Sequence, residues 1–339
     1  MTNKKVHAIQ KLGFQWVAED PFLVTMHHED AYPQGNEQQG PNTSLDGRSL
    51  GEDFTLKDGF RMYHGTTVPG FPAHPHRGFE TVTVVLEGFV DHFDSLGAKG
   101  RYGNGDVQWL TTGRGCQHTE MFPLVYQDKG NPLHLFQIWL NLAAKDKYAE
   151  PEYKMLWAED IPILKSNNSN GKQTTVRLIA GRLNGEVSLE PTAASWAKDR
   201  NHHVGIYLIH MEPEATFTLP SISETLNRNL YFYGGEQIIV DGTTIKTSHR
   251  VKLAGDQEIM ITNGAKDSYM LVLEGEPIQE PIAQYGPFVM NTEQQIHDAF
   301  NEYRRTQFGG WPWGRLDPVN EQNAGRFAQH ADGTIEKKS

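Results

Sequence analysis

Short runs rich in Val, Ile, Thr and aromatic residues recur along this chain, and each is soon closed by Gly, Pro, Asn or Asp. The runs lie at 81–86, 107–111, 133–142, 176–179, 205–210, 237–240, 258–262 and 269–273. Between them stand turn sequences such as Gly103-Asn104-Gly105-Asp106, Gly234-Gly235, Asp241-Gly242 and Asn263-Gly264. β-branched and aromatic side chains fit a pleated, half-buried surface, and Gly, Asn and Asp tolerate the backbone angles of tight turns. The texture predicts an all-β fold of many short antiparallel strands.

The runs form two groups, about 50–145 and 175–275. A polar stretch containing Pro151, Pro162 and Ser166-Asn167-Asn168-Ser169-Asn170-Gly171 separates them. At 339 residues the chain has length for two domains of ordinary size. Two similar barrels in tandem are expected, over 20–150 and 165–290, followed by a helix and polar tail over 291–339. The helix is signalled by a capping box, Thr292 with Gln295, and by Ile296, Ala299, Phe300 and Tyr303 at helical spacing. The polar stretches 34–52 and 317–339 read as loop, and Trp311 and Trp313 as residues that pack the start of the tail.

Charge and cysteine content narrow the function classes. Thirty-one basic and 42 acidic residues leave a formal charge of −11, and the densest basic clusters are pairs such as Arg304-Arg305. Direct nucleic-acid binding is not expected. No window approaches 18 uninterrupted apolar residues, so no membrane span is expected, and the first residues lack the apolar core of a secretory signal. Cys116 is the single cysteine, which suits a reducing cytoplasm.

The segment His74-Pro75-His76-Arg77-Gly78-Phe79-Glu80 carries the chemistry. Alternation along a strand sets His74 and His76 on one face, and an unbroken strand would add Glu80, Val82, Val84 and Leu86. A second segment, Gly113-Arg114-Gly115-Cys116-Gln117-His118-Thr119-Glu120-Met121, sets Cys116, His118 and Glu120 on one face. Three imidazoles and a carboxylate inside a small barrel suit Fe(II), Mn, Ni, Co or Cu, with positions left open for water, dioxygen or substrate. The carboxylate is either Glu120 or Glu80, and each is a candidate proton acceptor in catalysis. Cys116 is either a thiol facing the cation or a small core residue. Gln137, Trp139 and Asn141 share one strand face, which lines either the pocket or the exterior. The doublets His27-His28 and His202-His203 are expected at the surface.

The run Phe71-Pro72-Ala73-His74-Pro75-His76-Arg77-Gly78-Phe79-Glu80-Thr81-Val82 resembles the signature of the pirin family. So do Gly105-Asp106-Val107-Gln108-Trp109, Gly113-Arg114-Gly115, His118-x-Glu120-Met121, Gln137-x-Trp139-x-Asn141-Leu142, Gly275-Glu276-Pro277-Ile278 and Gly286-Pro287-Phe288-Val289-Met290-Asn291-Thr292. The resemblance covers about residues 20–305. It implies a bicupin, two antiparallel jelly-roll barrels packed face to face with a short C-terminal helix. It implies one metal ion, usually iron, in the N-terminal barrel on His74, His76, His118 and Glu120, with Zn as a further metal that the site accepts. Glu80 would then orient an imidazole or a water.

Two functions of different class follow from the resemblance. One is a dioxygenase of the quercetin 2,3-dioxygenase kind, taking a flavonol-like aromatic substrate and dioxygen. Arg77, on the opposite alternation beside the metal, is read as structural, with steering of an anionic ligand into the mouth as the alternative. The other is a non-enzymatic, redox-sensitive regulator that binds a transcription factor or a metabolic enzyme as its protein partner. The oligomeric state is left open, with the monomer favoured. The second barrel carries Glu214-Ala215-Thr216-Phe217-Thr218 where a metal motif would begin, and is expected to be metal-free.

Overall fold

Turn residues stand between strands where the sequence places them. Asn104 and Gly105, both at positive φ, separate Lys99–Gly103 from Val107–Thr111, and Asp241-Gly242 joins Gln237–Val240 to Thr243–Lys246. A two-residue Asp-Gly link matches the twist of the strands it connects. The computed structural model describes residues 4–338, which form two compact units. One is made of residues up to Thr25 with Glu159–Gln279, the other of Met26–Ala158 with residues from Glu280 onward.

The first unit has a large antiparallel sheet in the order Val6–Lys11, His249–Leu253, Asn227–Gly234, Ser268–Gly275, Gly205–Met211, Gln173–Ala180 and Ile163–Asn167. A smaller sheet is built from Thr216–Leu219, Ile259–Asn263, Gln237–Val240 and Thr243–Lys246. Their facing side chains, among them Leu178, Ile209, Phe217, Leu230, Ile238 and Val272, form one apolar core. Burying each such side chain is worth about 1.5–3 kcal/mol.

In the second unit one sheet contains Glu152–Leu156, Val107–Thr111, Phe79–Glu87, Asn131–Asn141 and Phe22–Tyr32 in that order. The other runs Ile335–Lys338, Arg326–Gln329, Lys99–Gly103, Phe89–Asp94, Cys116–Met121 and Gly70–His76. Each unit is thus a jelly roll built of two separate antiparallel sheets, as expected. The expected helix forms at Glu293–Thr306, with its capping box between Thr292 and Gln295. Ile296 and Ala299 bury against Phe288, Met290 and Phe308.

Two expectations fail here. The tail over 317–339 is not loop throughout, because Arg326–Gln329 pairs with Lys99–Gly103 and turns at Asp332-Gly333 into Ile335–Lys338. An otherwise open sheet edge recruits a polar segment whose strand propensity alone is weak. The doublet His27-His28 is not at the surface either. His28 is buried against Tyr63, whose hydroxyl donates to Asp30, and His27 is half-buried beside His134. Of the second doublet, His203 is exposed and His202 stacks on Trp196.

Candidate metal centre

Two strands supply the centre. Gly70–His76 pairs antiparallel with Cys116–Met121, His74 opposite His118 and His76 opposite Cys116, with a bulge between Phe71 and His74. This register brings His74, His76 and His118 together, their nearest ring nitrogens all within 4.8 Å of one another. Ring centroids lie 4.5 Å apart for His74 and His118, 4.7 Å for His74 and His76, and 5.0 Å for His76 and His118.

Hydrogen bonds set the imidazole tautomers. His74 Nδ1 donates to the Pro72 carbonyl at 2.8 Å and His76 Nδ1 to the Pro287 carbonyl at 3.3 Å, so each ring keeps a lone pair on Nε2. His76 Nε2 and both ring nitrogens of His118 are buried without a hydrogen-bond partner. An unpaired buried polar atom costs about 1–3 kcal/mol, a cost that a shared cation removes. Burial holds all three imidazoles well below their usual basicity, His74 down to about 4, which keeps them in the neutral form that ligates. The residues present therefore fit a transition-metal ion.

Glu120 points into the same chamber, its Oε2 3.8 Å from His118 Nε2. Gln137 Nε2 donates to Oε2 and Thr83 Oγ1 to Oε1. Burial raises the Glu120 carboxyl above its usual range, and these two donors oppose the rise. The half-buried Gln137 also receives the indole N–H of Trp139, whose ring lies 5.5 Å from His76 and 4.2 Å from Phe79. The strand face of Gln137 and Trp139 thus lines the chamber. Asn141 lies deeper along that strand and accepts from Lys147 Nζ, which also donates to the carbonyls of Gly78 and Val289.

Glu80 is not brought to the cluster. Its Oε1 accepts from Trp109 Nε1 and Thr111 Oγ1 on the neighbouring strand. The reason is local: Gly78 turns the chain at φ +86 between Gly70–His76 and Phe79–Glu87, which breaks the alternation across the gap. The chamber face after the turn is Phe79 and Thr83, as their contacts with His76 and Glu120 show. A side chain at Gly78 would put its Cβ 2.0 Å from the Val289 carbonyl oxygen. Arg77 takes the structural role read for it: it is buried, paired with Glu302 and stacked over Phe308. Cys116 is fully buried in an apolar cluster with Val85, Leu110 and Tyr153, and burial pushes its thiol up.

Sequence reasoning passed over His92. It stands opposite Glu120 on the adjacent strand, its ring 5.7 Å from His118. Its Nε2 meets Asp94 Oδ2 at 3.2 Å, and its ring stacks on Tyr153. The signal available was the alternation of His92 and Asp94 within one aromatic run.

Comparison with known proteins agrees with this fold. The family model described as pirin matches residues 16–140, and that of the pirin C-terminal cupin domain matches residues 206–309. A pirin-like protein of Solanum lycopersicum is 38% identical over 239 residues, covering 69% of this chain and 75% of the relative. Human pirin is 34% identical over 264 residues, covering 76% and 83%. A crystal structure of quercetin 2,3-dioxygenase from Acinetobacter baumannii superimposes with a TM-score of 0.70 at 25% identity, over 90% of this chain and 98% of that one. With an imidazole triad in one jelly roll, a second jelly roll beyond it in sequence, and relatives of this likeness along most of their length, the chain belongs to the pirin family of cupin proteins.

Proposed function

We propose that this protein is a metal-dependent oxygenase of the quercetin 2,3-dioxygenase type, holding iron and acting on a flavonol-like phenol. The observation that carries the reading is the set of buried, unpartnered imidazole nitrogens on His76 and His118 beside the carboxylate of Glu120. His74, His76 and His118 would hold the metal through ring nitrogens, with Glu120 beside them as the carboxylate ligand. A divalent iron held there supplies Lewis acidity and one-electron redox chemistry.

The chain's own groups do the rest. Gln137 and Thr83 hold the Glu120 carboxylate toward the triad. Its basicity, raised by burial, suits it to take the proton of a phenolic hydroxyl brought beside it. Trp139 and Phe79 present aromatic surface beside His76, against which a flat ring packs. The likeness to a named quercetin 2,3-dioxygenase supports the same substrate class.

Metal analysis of the purified protein, paired with oxygen uptake on a panel of flavonols, tests the reading. One iron per chain and flavonol-dependent uptake are expected. Iron-loaded protein that consumes no oxygen with any flavonol would refute the activity.

A further inference from the structure

Outside the triad, a series of rings leads from the protein surface to His74. Phe54 and His64, both on the long segment between the strands Phe22–Tyr32 and Gly70–His76, meet edge to face at 4.9 Å. Phe54 lies 6.4 Å and His64 5.7 Å from the ring of Phe71, and Phe71 lies 6.3 Å from that of His74. Phe54 keeps 37% of its surface exposed and His64 is exposed, whereas Tyr63 between them is fully buried. Core packing explains Tyr63. It does not explain why the two flanking rings stay open to solvent beside the chamber.

The segment that carries them is rigidly held. Asp53 and Tyr63 exchange backbone hydrogen bonds at 2.8 and 2.9 Å, and Arg48, buried, pairs with Asp53 at 2.8 Å while stacking over Phe60. His64 Nδ1 donates to the Gly51 carbonyl at 2.6 Å, which fixes the tautomer and leaves a lone pair on Nε2. An exposed imidazole acceptor beside two exposed or half-exposed phenyl rings has the chemistry to receive a flat ring bearing a hydroxyl group.

We propose that Phe54, His64 and Phe71 form the outer half of the substrate site, stacking the distal ring of a phenolic substrate and accepting one of its hydroxyl protons in a hydrogen bond to His64 Nε2. The proposal rests on the oxygenase reading for its choice of substrate, though not for its geometry. The hydroxyl recognised here is a peripheral one, away from the reacting oxygen at the triad. The rim therefore sets which flavonols are preferred without taking part in oxygen chemistry.

Anaerobic titration of the metal-loaded protein with quercetin and with 3-hydroxyflavone, which lacks the peripheral hydroxyls, tests it, following the absorbance shift of the bound flavonol. Wild type is expected to bind both. Phe54→Ala weakens both about fivefold to tenfold, in line with the loss of one ring contact. His64→Leu weakens quercetin about tenfold and leaves 3-hydroxyflavone unchanged, and His64→Gln, which keeps an acceptor, recovers much of the loss. Metal content measured on each variant shows that the triad is intact. Equal affinity of wild type and variants for both compounds overturns the rim, as does failure of wild type to bind either. Binding with the expected pattern but no oxygen uptake leaves the rim standing and removes the oxygenase. Oxygen uptake with unchanged variant affinities does the reverse.

Discussion

Gln137 donates its side-chain amide to Glu120 from the sheet other than that of the two imidazole-bearing strands, and so orients the carboxylate that faces His118. A group in this position tunes a ligand without touching the metal, and its loss typically costs about 10–100-fold in affinity or activity. Gln137→Leu should lower metal affinity by that amount, and Glu120→Gln by more. Glu80→Gln should leave affinity near wild type and lower the melting temperature instead, because Glu80 serves Trp109 and Thr111. Competitive metal titration with a chromogenic chelator ranks the three. An affinity loss in Glu80→Gln as large as that in Glu120→Gln would reverse the assignment.

One tightly held metal per chain is expected, and His76→Ala should abolish it. Metal bound only by the folded protein adds stability that grows with its free concentration, about 2.7 kcal/mol at a hundred times Kd. Chelation should therefore lower the melting temperature of the wild type but not of His76→Ala. Elemental analysis together with calorimetry of both forms checks this.

Lys147 introduces a pH dependence on the alkaline side. Its ammonium is buried among the Gly78, Asn141 and Val289 oxygens, and burial lowers its pKa from 10.5 to about 8. Between those values the unfolded chain holds a proton that the folded chain has shed. Stability from this group therefore rises as pH climbs from about 8 to 10.5, by at most about 3 kcal/mol. Lys147→Met should be less stable than wild type throughout, with a deficit that widens over that range in denaturant titrations.

Arg101 ties three separate parts of the second unit together. It forms two hydrogen bonds with the buried Asp91, one with Gln39 of the long N-terminal segment, and others with the carbonyls of Asn320, Glu321 and Gln322 in the tail. Arg101→Met leaves the Asp91 charge buried and uncompensated, a loss of about 3–5 kcal/mol. Adding Asp91→Leu should recover part of it. Equilibrium unfolding of the single and double variants measures the difference.

Cys116 should behave as packing. With no exposed surface, and with its thiol pushed up by burial, it should react with a maleimide only as fast as the unit opens. Fast labelling of the native protein would contradict its placement.

The candidate ligand pairs were legible because each lies within one strand. His74 and His76, like His118 and Glu120, stand two positions apart, and alternation alone puts each pair on a common face. Legibility stopped where a strand stopped. Glu80 lies beyond the turn at Gly78, so counting by twos from His76 lands on the wrong side of the sheet. His28 was misread for a related reason, since its burial comes from Tyr63, Phe71 and Phe122, contributed by other parts of the chain. The tail strand Arg326–Gln329 has little strand character of its own and exists because the edge at Lys99–Gly103 accepts it.

By itself, then, the sequence determined the strand texture, the turns, the capped helix and the two short motifs, all of which follow from local preference and side-chain alternation. Only the tertiary structure decided that His74 faces His118, that Glu80 turns to Trp109 and Thr111, and that Arg77 pairs with Glu302. These depend on strand register and on the direction of the chain after a turn. A one-residue change in either reverses which face a side chain occupies, and nothing local to the sequence records the choice.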